Sequence, residues 1–180
     1  MTHRGRVTLV DGKLYSLPQR PPLLLGAAVT EATAELVGGW ADGLLTVSAK
    51  PDAVRRVVEA FRRGGGEGKP MVMQVGLNWA ASEEEALRGA HEQWRTNVLG
   101  GEVNWELRSP EDFDTATRFV RPEDMRESVL ISSDLGRHAA WLAEYVELGF
   151  SELQLHQVGR DQEAFVEAFG AKVLPQLRAA

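Results

Sequence analysis

The 180 residues contain no cysteine, which excludes disulfides, thiolate metal sites and a cysteine nucleophile. No apolar run approaches the roughly 20 residues of a membrane span. No basic block offsets the formal net charge of −6, which argues against general nucleic-acid binding. The opening Met1-Thr2-His3-Arg4-Gly5-Arg6 leads into no long apolar core; no secretory signal is expected, and a cytoplasmic location is. Histidines are also few. His3, His91, His138 and His156 nowhere adopt the spacing of metal ligands, so no metal is expected. No nucleophile elbow or Ser-His-Asp order is legible either.

What is present is a soluble-protein composition, 43% hydrophobic and 26% charged, in a chain long enough for one domain with a real core. The pattern turns on residues 21–47. Leu23–Leu25 is a short apolar run behind Pro21-Pro22, and length with the following Gly26 favours a strand. Thr30 is placed to cap a helix whose apolar side is Ala34, Val37 and Trp40. Gly38-Gly39 stops it, and Leu44–Val47 resumes as strand. This is a βαβ unit, from which a parallel sheet follows. Small side chains in the turn Ala27–Thr30 let a ligand approach the backbone, and the free N–H groups of the next helix attract anions. A phosphate-bearing cofactor and a merely well-packed turn are both compatible with these residues.

The rest of the chain extends the alternation. Val7–Val10 and Lys13–Leu17 flank Asp11-Gly12, the signature of a hairpin, followed by a connector to residue 20. Val54, Val57, Val58 and Phe61 recur at helical spacing behind Pro51. Arg55, Arg56, Arg62 and Arg63 frame that stripe as its solvated face. The glycine run 64–68 is a turn and not a phosphate loop, because Lys69 is followed by Pro70. Met71–Trp79 is a nearly continuous apolar strand. Ser82-Glu83-Glu84-Glu85 opens a helix carrying Ala86, Ala90, Trp94 and Val98 on one side. Residues 99–122 loosen into an excursion with Ser109 as a cap. Val129–Ser133 is a short apolar segment. Asp134 caps a helix bearing Leu135, Ala139, Leu142 and Val146, residues 153–158 form the last strand, and Asp161 opens a helix with Phe165, Phe169 and Val173 inward. Four long strands are expected, near 23–28, 43–48, 71–79 and 153–158. A closed (βα)8 barrel needs eight. No linker divides the chain, and 1–180 reads as one domain, residues 1–20 being hairpin and connector and 21–180 βα units.

Val10-Asp11-Gly12-Lys13-Leu14-Tyr15, the strand Leu23–Ala28, Asp42-Gly43, the run Leu155-His156-Gln157-Val158-Gly159-Arg160-Asp161-Gln162 and the tail Val173-Leu174-Pro175-Gln176-Leu177-Arg178 together resemble the bacterial luciferase-like flavin oxidoreductases. The nearest subset is similar to the deazaflavin-dependent glucose-6-phosphate dehydrogenases and related FMN-type members. The resemblance runs the length of the chain but covers only strands five to eight of that family's (βα)8 barrel. It implies an α/β half-barrel preceded by a hairpin, a flavin cofactor (FMN or a deazaflavin coenzyme), and oxidoreductase or monooxygenase chemistry on a small-molecule substrate. Completion by a second copy or by an N-terminal-half chain is also implied; the other class open is a non-catalytic flavin-binding or assembly module. By the same resemblance the flavin phosphate falls to Ala28, Val29, Thr30 and Thr33, and Lys50 to the substrate. The arginine that accompanies that lysine in the sugar-phosphate dehydrogenases has no match: Ser128 stands near its place, with Arg126 two residues earlier. Asn78, Trp79, His156 and Gln157, at strand ends on the face where barrel sites gather, complete the expected substrate set. No catalytic residue is assigned.

Overall fold

The computed structural model describes residues 1–178. Four parallel strands form its centre: β3 (Leu25–Ala27), β4 (Gly43–Val47), β5 (Met71–Asn78) and β7 (Glu152–Gln157), in the order β3-β4-β5-β7. A short strand, β6 (Leu130–Ile131), adds to the end of β5. Leu77 is partnered by both Leu130 and Gln157, so β6 lies on the β4 side. β4, β5 and β7 sit where the apolar runs place them, whereas β3 is only three residues long and leaves Leu23 and Leu24 outside the strand. The result is a mixed α/β fold with a parallel sheet.

Helices follow the strands and cover one face. Thr30 caps α1 (Glu31–Gly38), its hydroxyl accepting from the Thr33 N–H. Pro51 starts α2 (Pro51–Phe61), whose Val54, Val57, Val58 and Phe61 are all buried. Asp134 caps α6 (Leu135–Glu147) and Asp161 caps α7 (Gln162–Lys172); Phe165, Phe169 and Val173 point inward as expected. These pack on Leu44, Met73, Val75 and Leu77 to form the main core. A fully buried side chain of this size contributes about 1.5–3 kcal/mol. Two glycines set the closeness of α1 and α2. A Cβ at Gly38 would overlap the Phe61 carbonyl oxygen, and one at Gly64 the Glu35 carbonyl oxygen.

The excursion folds as α3 (Glu83–Trp94), α4 (Gly101–Glu106) and α5 (Pro110–Thr117), with a smaller core of Ala86, Ala90, Met125, Ile131 and Val158 beneath α3. A last short helix, α8 (Leu174–Arg178), follows α7.

Three expectations shift. The hairpin pairs β1 (His3–Arg4) with β2 (Thr8–Leu9) around Gly5–Val7, and not across Asp11-Gly12. Asp11 does take a left-handed φ of 51°, but Gly12 bonds back to Met1. Trp40 lies beyond the end of α1 and is 59% exposed. On α6 the buried side is His138, Ala139, Leu142 and Tyr145, while Val146 faces out.

Alternation along the strands separates two faces. The residues between the core positions point away from the helices, into a concave side where Gln74 on β5 and Gln154 on β7 are exposed and Val72 is buried. Every residue from Met1 to Leu25 except Gly12 is exposed as well, so the side chains of Val7, Val10, Leu14, Tyr15 and Leu17 on this arm are not buried by any of the described residues.

Candidate functional site

Parallel strands bring their C-terminal ends to one edge of the sheet, and every residue singled out from the sequence lies there. At one end is the turn from β3 into α1. The Ala28 N–H bonds to the Leu45 carbonyl and extends the sheet by one residue. Beyond it the Val29, Thr30, Glu31 and Ala32 N–H groups have no protein acceptor among the described residues, as the first turn of a helix requires. The Thr30 hydroxyl accepts from the Thr33 N–H at 3.3 Å and donates to the Thr33 hydroxyl at 3.0 Å. Glu31, the one carboxylate in this turn, is held by Arg56 at 3.1 Å. Four free N–H donors, two hydroxyls and the helix dipole form a donor set suited to a phosphate.

Lys50 stands at the end of β4, one residue before α2. It opens on a cavity of about 560 Å³ lined by Ser48, Gly76, Glu127, Trp141 and Tyr145 among others. A Cβ built on Gly76 meets nothing within 4 Å, so this space reaches the concave face of β5. The lysine ammonium faces Glu127 at 3.4 Å. Arg126 also lines the cavity, where it donates to the Ile131 carbonyl at 2.8 Å and to Glu83 at 2.9 Å. Glu83 also accepts from the Ser132 hydroxyl at 2.6 Å and the Ser133 N–H at 2.8 Å. The Ser132 hydroxyl first, then Arg126 and the Ser133 N–H, hold its carboxyl down to about 2. This knot fastens the start of α3 to the β6–α6 turn and fixes that wall of the cavity. Behind it His138 is fully buried, its Nε2 on the Ser132 carbonyl at 3.0 Å and its Nδ1 without a partner; burial pushes its pKa down.

Asn78, Trp79 and Gln157 converge where β5 and β7 end. The Asn78 amide donates to the Ala86 carbonyl and accepts from the Gly159 N–H. Gln157 brackets the Trp79 backbone, accepting from its N–H and donating to its carbonyl, each at 2.9 Å. The Trp79 indole donates to the Ser133 carbonyl. These polar groups bond to the protein itself, and they join β5, β7, α3 and the β6–α6 turn while lining a second cavity of about 400 Å³.

His156 points into the concave face. Gln74, on the neighbouring strand, donates to its Nδ1 at 3.2 Å, which leaves Nε2 as the free nitrogen. Trp94, at the end of α3, meets the imidazole edge to face with centroids 4.8 Å apart. Thus Thr30, Lys50 and His156 come to one edge of the sheet but to three stations along it. The sequence reading placed Trp94 and Glu83 only as parts of a helix and did not assign Gln74, Trp94, Glu83 or Glu127 to the site. Only Gln74 carried a signal, as the polar interruption of an otherwise apolar strand.

Among the described residues no group of His, Asp and Glu is arranged to hold a metal ion. Among the same residues no helix is long and apolar enough to cross a membrane.

Comparison with known proteins gives a consistent set. The family model described as luciferase-like monooxygenase matches residues 1–152. An F420-dependent glucose-6-phosphate dehydrogenase of Microbacterium testaceum is 28% identical, the match covering 99% of this chain and 55% of that protein. Its counterpart in Amycolatopsis mediterranei is 26% identical over 95% of this chain and 54% of its own. Among solved structures, an F420-dependent secondary alcohol dehydrogenase in complex with an F420–acetone adduct superposes with a TM-score of 0.85 at 19% identity, over 99% of this chain and 56% of that one. The EDTA monooxygenase of Chelativorans gives 0.60 at 17%, over 99% and 50%. The chain spans about half the length of the relatives it matches.

Proposed function

The chain belongs to the luciferase-like monooxygenase family, and from that premise we propose that it forms strands five to eight of a flavin- or deazaflavin-dependent oxidoreductase barrel, as one domain whose site is finished by a second βα half. The observation that carries the proposal is the β3–α1 turn. Its N–H groups at Val29–Ala32 lack acceptors among the described residues and open on the same sheet edge as Lys50 and His156. In this reading Thr30, Thr33 and those N–H groups hold the cofactor phosphate, with Ala28 anchoring the turn to β4. Asn78, Trp79 and Gln157 keep the β5 and β7 ends in register, and Lys50 and His156 face substrate.

A bound flavin or deazaflavin supplies hydride transfer, or reaction with oxygen once reduced. The chain's own residues bind, orient and shield. Gln74 and Trp94 fix the His156 ring so that its Nε2 presents one hydrogen-bonding position. The Trp79 indole is anchored to Ser133, so that side of the pocket mouth stays rigid. Lys50 and Glu127 neutralise each other at the cavity entrance, which favours a substrate without a phosphate over the sugar phosphate named for the relatives. A cytoplasmic location goes with this reading and is compatible with a cysteine-free chain.

A second reading, a flavin-holding or assembly module without turnover, draws on the open concave face. One experiment bears on both. FMN, the deazaflavin coenzyme and riboflavin are titrated against the chain and against Glu31→Pro, which removes one N–H at a position where proline is tolerated. The expected result is FMN or deazaflavin binding weakened about tenfold or more by the substitution, with riboflavin, which lacks the phosphate, unaffected. Equal affinity of both proteins for FMN would remove the β3–α1 turn from the site. Substrate-dependent oxidation or reduction of the bound cofactor separates the enzyme from the holding module.

A further inference from the structure

The cavity of about 400 Å³ between α3 and the β7–α7 loop stands apart from the stations that the flavin reading uses: neither His156 nor Trp94 lines it. Its floor is closed by the buried amides of Asn78 and Gln157, both already bonded within the protein. The loop above that floor is pinned on either side of Arg160. The Gly159 N–H donates to Asn78 at 2.8 Å, Gln162 donates to the Gln157 and Gly159 carbonyls, and Asp161 caps α7 through the Ala164 N–H. A Cβ at Gly159 would stand 2.5 Å from the Asn78 oxygen, so only glycine allows the loop this close to the strand end. The Arg160 head is oriented as well. Gln93, with its amide oxygen toward the guanidinium, accepts from Nε at 2.8 Å and from Nη2 at 3.0 Å. A guanidinium positioned by a neutral amide keeps its full charge, and its Nη1 stays free to donate.

Across the cavity α3 supplies the opposite sign. Glu85, Gly89 and Glu92 follow one another at helical spacing along its lining side, and Gly89, without a side chain, leaves room between the two carboxylates. Glu85 accepts from the Ser82 hydroxyl at 3.0 Å. The ion pairs in and beside α3 are Arg88–Glu84, Arg126–Glu83 and Arg95–Asp114; they leave Glu92 and Arg160 without a charged partner among the described residues. Ala80, Ala81 and Ala164 complete the lining with apolar surface. A fixed cation, an unpartnered carboxylate and an apolar wall thus share one space, whose volume is that of a small-molecule site. A dianion such as phosphate would meet Glu85, Glu92 and Asp161 around the same arginine, and like charge works against it. A small ligand carrying both charges answers both walls.

We propose that this cavity binds a free α-amino acid, its carboxylate on Arg160, its ammonium on Glu92 and an aliphatic side chain against the three alanines. Charge-assisted hydrogen bonds at both ends give the selectivity, and the pinned loop presents Arg160 with little left to order on binding. The site is independent of the cofactor turn and of the Lys50 cavity.

The test is a titration of the isotope-labelled full chain with L-leucine, N-acetyl-L-leucine, L-leucine amide and inorganic phosphate, following the backbone amides of Gly89, Glu92 and Arg160. The expected result is that leucine moves these resonances saturably. The acetylated compound, which lacks the ammonium, and the amide, which lacks the carboxylate, should each bind at least about tenfold more weakly. Arg160→Gln should weaken leucine by a similar factor and leave leucine amide unchanged, and Glu92→Gln should weaken leucine and leave N-acetyl-leucine unchanged. Both positions are exposed, so neither substitution touches the core. Resonances that ignore leucine up to about 10 mM would overturn the inference, as would masked compounds that bind as well as leucine. Phosphate binding more tightly than leucine, or variants that bind leucine like wild type, would overturn it equally.

Discussion

Met73, Val75 and Leu77 on one side of β5 are fully buried, whereas Gln74, between the first two, is exposed and its only side-chain partner among the described residues is His156. The two faces of the same strand thus differ in completeness. The convex face, under α1, α2, α6 and α7, is a finished core with Phe61 and Leu142 at its centre. The concave face is lined by Gln74, Gln154, Glu152 and His156, of which the first three are exposed. One face of the sheet is packed and the other is open among the described residues.

That contrast can be broken first at its strong end. Phe61→Ala should destabilise the chain by about 3–5 kcal/mol, measured as a loss in chemical denaturation with little change in slope. Gln74→Ala, one position from the equally central strand residues Met73 and Val75, should stay within about 0.5 kcal/mol while freeing the His156 ring, seen as a change in its imidazole resonances. If Gln74→Ala cost as much as Phe61→Ala, the concave face would be part of the folding core and the contrast would collapse.

A smaller effect sharpens the division at the rim. The folded-state pKa of Glu83 is depressed to about 2 from 4.5, so its contribution is fully present above about pH 4.5 and is lost as pH falls toward 2. Wild type should therefore lose stability across that window more steeply than Glu83→Gln. The effect is modest, because the carboxylate is 44% exposed and screened by solvent. Parallel pH profiles for the two proteins would detach Glu83 from the wall of the cavity.

The finished face was the legible one. Runs such as Val54, Val57, Val58 and Phe61 declare a helix side because burial enforces the period, and the four long strands announce themselves by continuous apolar character. The hairpin was legible in kind but not in register. All its residues but Gly12 are exposed, so no burial pins the pairing and Asp11-Gly12 lost to a turn nearer the N-terminus. Trp40 and Val146 were assigned inward by spacing alone; one lies past the end of its helix, and the other yields to Tyr145 as α6 settles on the sheet. Of the site, the Thr30 cap and the inward His156 could be read from local sequence. Trp94 could not, because its contact with His156 joins α3 to β7 across 62 positions of chain that only tertiary structure brings together. Lys50 was visible, but its neutralisation by Glu127 was not, since that ion pair depends on where the excursion returns.

The claim beneath this account is that the β3–α1 turn is a phosphate cradle on an otherwise unfinished face. Its most direct test is a titration of isotope-labelled chain with FMN, riboflavin and inorganic phosphate, following the backbone amides of Val29, Thr30, Glu31 and Ala32. The account predicts that FMN moves these four resonances together, that phosphate moves the same four more weakly, and that riboflavin leaves them in place. Amides that ignore FMN, or that respond equally to riboflavin, would contradict it.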